Sequence, residues 1–220
     1  MRELERRAAY GDEEAQVALL VTRVRSGKFS NTKLELAAYL GHPLAEQAVG
    51  RHFKKASKHP RRWARGLARF GDRPCILTVL IAHRAALTGL PDIPDPVGYR
   101  RYRRNHRLFG EGEGLHESWR LALEAAERWA AGDKSAKREI FEHVEAYDQY
   151  RVTAPYWQRT NLICYLDTLA TGKVAEAAEK SFMAATNYLS PSYSKWGKKH
   201  ADKALRAEIA RVLLPWALNE

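Results

Sequence analysis

Chemistry in this 220-residue chain begins with the side chains that can move protons, hold metals or grip charge. Histidine comes first. The eight are His42, His52, His59, His83, His106, His116, His143 and His200. None pairs with another at the close helical spacing that brings two imidazoles onto one metal ion. His83 stands in the most apolar stretch of the chain. There an imidazole is either a catalytic base or a core group satisfied by hydrogen bonds, and the core role is expected. Glu142, His143, Glu145 and Asp148 offer oxygen and nitrogen donors, and Glu145 and Asp148 share a helical face. Residues of this kind also occur on solvated surfaces, so no metal ligand and no cofactor is assigned. There is no Gly-rich phosphate loop, no His-Glu-x-x-His pair and no nucleophile elbow. No catalytic residue is assigned. An enzyme assembled from residues distant in sequence is kept as an alternative.

Arginine offers a different chemistry, because its planar guanidinium grips carboxylates and phosphates in pairs of hydrogen bonds. From Arg51 to Arg69 no acidic residue interrupts Arg51, Lys54, Lys55, Lys58, Arg61, Arg62, Arg65 and Arg69. A second cluster is Arg100, Arg101, Arg103, Arg104 and Arg107, interleaved with Tyr99, Tyr102, His106 and Phe109. Two uses follow. As a nucleic-acid surface, Arg62, Arg65 and Arg69 line a rigid helix, and Arg100, Arg101, Arg103, Arg104 and Arg107 form a clamp on phosphates. Tyr99 or Tyr102 can then stack on bases. As a protein-binding surface, the anchors are Tyr99, Tyr102, Arg103 and Arg107, since aromatics and arginines dominate such contacts. The formal net charge of +11 and pI of about 9.7 favour a polyanion, DNA or RNA, or the acidic surface of a protein. Tyr147, Tyr150 and Tyr156, with Arg151 and Trp157, could stack on a peptide or a base, but packing between helices is the expected role.

The elements that position these residues read as helices. Trp63, Leu67 and Phe70 fall at i, i+4 and i+7, one apolar stripe, with Arg62, Arg65 and Arg69 on another side. After Gly71-Asp72 and Pro74 comes an apolar run to Leu87, a helix expected to be enclosed by others. Helices are also expected over Arg2–Ala9, Glu13–Arg25 behind Asp12, and through Leu40 behind Ser30 or Asn31. Further ones run from Pro43, over Glu117–Ala131, after Asp133, after Pro155, over Lys173–Leu189 and at the C-terminus. The stripe expected in the helix Glu13–Arg25 is Ala15, Leu19, Thr22 and Val24. Ser190–Lys199 reads as irregular, around Pro191 and Gly197.

Gly11-Asp12, Gly41-His42-Pro43 and Gly71-Asp72 place the same stop and restart thirty residues apart, and Gly132-Asp133 repeats it. The spacing fits helical hairpins. The predicted fold is all-α, about ten helices, as stacked hairpins or an irregular bundle. A single domain over 1–220 is expected, with a Pro-rich and basic loop insertion at about 90–114. Cys75 and Cys164 sit in apolar contexts and read as buried free thiols. No apolar run has the length of a membrane span, and the N-terminus has no apolar signal segment, so a cytoplasmic protein off the membrane is expected.

LERRAAYGDEEAQVALLVTRVRSG (Leu4–Gly27) and LELAAYLGHPLAEQA (Leu34–Ala48) resemble an N-terminal helical pair that recurs in α-helical proteins of planctomycetes and myxobacteria. WARGLARFGDRPCILTVLIAHRAAL (Trp63–Leu87) and WRLALEAAERWAAGD (Trp119–Asp133) resemble predicted helical immunity proteins of bacterial toxin systems. The resemblance covers about half the chain and rests on Ala, Leu, Trp and Gly patterning. It implies a non-enzymatic adaptor or immunity-like protein that holds a protein partner. The chain departs from that group in its Arg100–Arg107 insertion and in its basic charge, which suits an acidic partner rather than a basic nuclease toxin.

Overall fold

The computed structural model of the chain describes residues 2–50, 55–90, 117–151, 165–190 and 195–218. The helices are α1 (Arg2–Ala9), α2 (Glu13–Arg25), α3 (Asn31–Tyr39), α4 (Pro43–Val49), α5 (Pro60–Gly66), a 3-10 turn (Leu67–Phe70) and α6 (Asp72–Thr88). They continue as α7 (Glu117–Ala131), α8 (Ala136–Arg151), α9 (Val174–Leu189) and α10 (Lys195–Leu218), and residues 165–170 are helical as well. There is no β-strand among the described residues. The all-α fold of about ten helices holds. The basic insertion expected at about 90–114 lies outside the described residues except at Leu90.

The recurring Gly-Asp and Gly-His signals are compact joints between helices. Gly11 takes φ 86°, a backbone state that costs other L-residues energy. Its N–H donates to the Ala8 carbonyl at 3.1 Å, and the Asp12 N–H donates to the Arg7 carbonyl at 3.2 Å. That pair of bonds closes α1. The Asp12 carboxylate then accepts from the Ala15 N–H at 3.0 Å and opens α2. Gly41, at φ 90°, and His42 repeat the arrangement thirty residues later, with His42 Nδ1 accepting from the Ala45 N–H at 3.3 Å. Accepting there requires a neutral imidazole, and partial burial lowers the pKa of His42 accordingly. Ala15 and Ala45 are buried at the same point of the two joints.

The chain clusters into two compact units. One comprises Met1–Lys58 and Ala210–Glu220. In it α1 packs on α2, α3 on α4 and α2 on α4. Its largest group of buried side chains comes from α3: Leu34, Leu36, Ala37, Ala38 and Tyr39. In α2 only Ala15 is buried, while Leu19, Thr22 and Val24 are half-buried. The stripe read from sequence is less covered because its partners α1 and α4 have only 8 and 7 residues.

The other unit, His59–Ile209, is a row of helices. Its main contacts run α5 on α9, α9 on α6, α6 on α7 and α7 on α8. The middle of the row is α6, which buries Cys75, Ile76, Val79, Leu80, Ile81, Ala82, Ala85 and Ala86. Full burial of a Leu, Ile or Val contributes about 1.5–3 kcal/mol, so this helix is a main source of stability. Trp63, Leu67 and Phe70 are buried on one side of α5 and its 3-10 turn, as the spacing implied. The Trp63 ring packs on Phe182 of α9, centroids 5.4 Å apart. Toward the C-terminus α10 begins at Lys195, inside the stretch read as irregular.

Candidate functional site

Between Pro60 and Arg73 the chain carries Arg61, Arg62, Arg65, Arg69 and Arg73 against one carboxylate, Asp72, and all six side chains are exposed. The helix geometry explains this. Trp63, Ala64, Leu67 and Phe70 take the side facing α9 and α6, which leaves the opposite side to the arginines. Arg62, Arg65 and Arg69 therefore share one exposed face. Arg65, itself exposed, lies 3.8 Å from Glu179 of α9, whose side chain is only 21% exposed. The Arg69 guanidinium sits 4.6 Å from the Phe70 ring centroid, a contact that orients it. The other basic candidates, Arg100, Arg101, Arg103, Arg104 and Arg107, and the aromatic candidates Tyr99 and Tyr102, lie outside the described residues.

A different surface carries arginines set among several carboxylates. On α7, Arg120 pairs with Glu117 and Glu124. Arg128 pairs with Glu139 of α8 and lies 3.7 Å from Asp133. Arg138 meets Glu142 at 2.8 Å, and Arg84 of α6 pairs with Glu127 of α7. The hydrogen bond from Arg128 is the main reason the Glu139 carboxyl titrates below its usual range. Glu142, one of the residues with metal-ligating chemistry, is thus held by Arg138. Among the described residues no three His, Cys, Asp or Glu side chains gather as a ligand set.

His83 is fully buried at the centre of the row. The Trp119 Nε1–H of α7 donates to His83 Nδ1 at 3.2 Å, and the two rings meet edge to face. Indole nitrogen can only donate, so Nδ1 must be the acceptor and the proton sits on Nε2. That Nε2–H points at Ser181 Oγ of α9, 3.4 Å away. A histidine acting as base toward a serine needs the opposite tautomer, with a free lone pair on Nε2. Burial also pushes the imidazole pKa down to about 3. The Ser181–His83–Trp119 set is therefore a neutral hydrogen-bonded tie between α9, α6 and α7, as expected for a core histidine. Local spacing carries no sign of the partners, which lie 36 and 98 residues away. Cys75 is a buried free thiol whose pKa burial pushes up to about 12, so it stays protonated and unreactive. Cys164 lies outside the described residues.

No helix among the described residues is long and apolar enough to cross a membrane. Comparison with protein-family models, curated proteins and solved structures finds no match for this chain.

Proposed function

We propose that the chain is a non-enzymatic helical binding protein that holds the phosphate backbone of DNA or RNA. The rigid part of its contact surface is the arginine face of α5 and the 3-10 turn. One observation carries this reading: Arg62, Arg65 and Arg69 are exposed on one face of α5 and the 3-10 turn, in a segment that holds no carboxylate of its own, opposite a packed core. Arginine and lysine side chains that neutralise phosphates release condensed counterions, and this term needs no base contact. Arg100, Arg101, Arg103, Arg104 and Arg107, with Tyr99 and Tyr102, are the proposed second part of the grip. A cytoplasmic location goes with this reading.

The test is fluorescence anisotropy with labelled DNA and RNA of unrelated sequences, from about 50 to 200 mM salt, the range over which such contacts weaken steeply. Saturable binding that falls with salt and is indifferent to sequence is the expected result. Absence of binding at the low end of that range rejects the reading.

A second reading is the adaptor or immunity-like protein, with an acidic protein as partner. It is favoured by Tyr10, 85% exposed, and Phe141, 46% exposed, because surface aromatics serve as anchors in protein interfaces. Recovery of one stoichiometric protein, unaffected by nuclease, supports it. Loss of all recovered partners on nuclease treatment counts against it.

A further inference from the structure

Arg206 of α10 places its guanidinium 4.9 Å from the centroid of the Trp63 ring of α5. It also hydrogen-bonds Asp202 one turn earlier at 2.9 Å, and the two side chains are only 20% and 17% exposed. A cation so covered and already paired ties helices together rather than meeting a ligand. It places the middle of α10 beside Trp63, on the helix that carries Arg62 and Arg65. Lys203 precedes Arg206 by three residues and Lys199 by seven. At 3.6 residues per turn both fall on the side of α10 that carries Arg206, and Lys199 lies about 10 Å farther along the axis. Both lysines are exposed. Asp202 between them is turned to Arg206, and neither lysine has a carboxylate partner among the described residues.

We propose that the phosphate-binding surface of α5 continues onto α10 through Lys199 and Lys203, so that two helices hold one nucleic-acid backbone. The inference rests on the nucleic-acid reading of the α5 face. Its occupant follows from charge: long cationic side chains on two adjoining helices match a row of phosphates. Protein interfaces are instead built on a buried aromatic or apolar centre and are depleted in lysine. Binding at this surface is therefore indifferent to base sequence, and each lysine acts as a point charge on a phosphate.

The experiment compares wild type, Lys199→Gln/Lys203→Gln and Arg62→Gln/Arg65→Gln/Arg69→Gln on one labelled random-sequence DNA duplex. Each is titrated at several salt concentrations, with melting recorded beside binding. All the substituted residues are exposed, so melting should stay close to wild type. The lysine pair should weaken binding and reduce the slope of log K against log salt by about two, since each phosphate contact contributes about 0.9. A lysine variant with the wild-type slope, beside an arginine variant whose slope has fallen, overturns the two-helix surface and leaves the α5 site standing. A wild-type protein that fails to bind the duplex overturns both. A lysine variant that binds a protein partner less well but no nucleic acid at all points to an acidic protein as the occupant, and also overturns the proposal.

Discussion

Arg62, Arg65 and Arg69 at one end of the helix row, and Arg120, Arg128 and Arg138 toward the other, are the same residue on exposed helix faces of one unit. Their surroundings differ. Arg120, Arg128 and Arg138 meet Glu117, Glu124, Glu139 and Glu142, three or four residues away or across the α7–α8 joint. The segment that carries Arg62, Arg65 and Arg69 holds one carboxylate, Asp72, and Glu179 approaches Arg65 only to 3.8 Å. Composition counts both sets alike toward the net charge of +11. Only the positions of the carboxylates separate a surface rich in them from one whose own segment holds a single one. The comparison thus turns a global excess of charge into a local one.

His83 lies in α6 between α9 and α7, and acid should reveal its place in that framework. Its pKa is lowered to about 3 by burial, against an ordinary value near 6.5. Between those values the unfolded chain takes up a proton that the folded one refuses, so stability falls as pH falls from about 6.5 toward about 3. The slope approaches about 1.4 kcal/mol per pH unit. Partly buried His42 acts in the same direction. Asp12, Asp133, Glu139 and Glu176 also have lowered pKa values, but they act in the lower carboxylate range. Urea unfolding of wild type and His83→Gln from pH 7 to 5 checks this. Glutamine keeps an acceptor available to Trp119 and cannot ionise, so its stability should vary less with pH. Equal slopes in the two proteins would show that His83 takes up a proton without unfolding.

The smallest effect belongs to the paired surface. Arg120→Gln should leave melting almost unchanged, because exposed ion pairs are screened by water and salt and bring side-chain ordering with them. Calorimetry at low and at high salt is the check. A large drop in melting temperature would mean that the α7 network holds the fold, and the contrast between the surfaces would lose its simple basis.

Much of this architecture is legible in the residues. Asp12 and Ser30 cap the helices that their positions predict, because an N-cap is a local arrangement of three or four residues. The exposure of Arg62, Arg65 and Arg69 follows from one apolar stripe. The paired state of Arg120 is legible too, from carboxylates at i−3 and i+4. What local spacing cannot supply are contacts made by packing order. Nothing in the sequence places Trp63 under Arg206, or Trp119 and Ser181 on the two nitrogens of His83. The half-buried α2 stripe shows the complementary limit: periodicity tells which side is apolar, while partner length decides how much of it is covered.

The contrast between the two arginine surfaces is tested most directly by their salt dependence. Wild type, Arg62→Gln/Arg65→Gln/Arg69→Gln and Arg120→Gln/Arg128→Gln/Arg138→Gln are titrated with the same labelled nucleic acid across about 50–200 mM salt. Both variants remove three positive charges, so net charge alone predicts equal effects. If the positions of the carboxylates decide, the α5 variant loses up to about three units of slope, near 0.9 per phosphate contact, while the α7–α8 variant stays close to wild type. Equal losses in both would contradict the contrast between the two surfaces, and an unchanged slope in the α5 variant would contradict a phosphate-binding role for the α5 face.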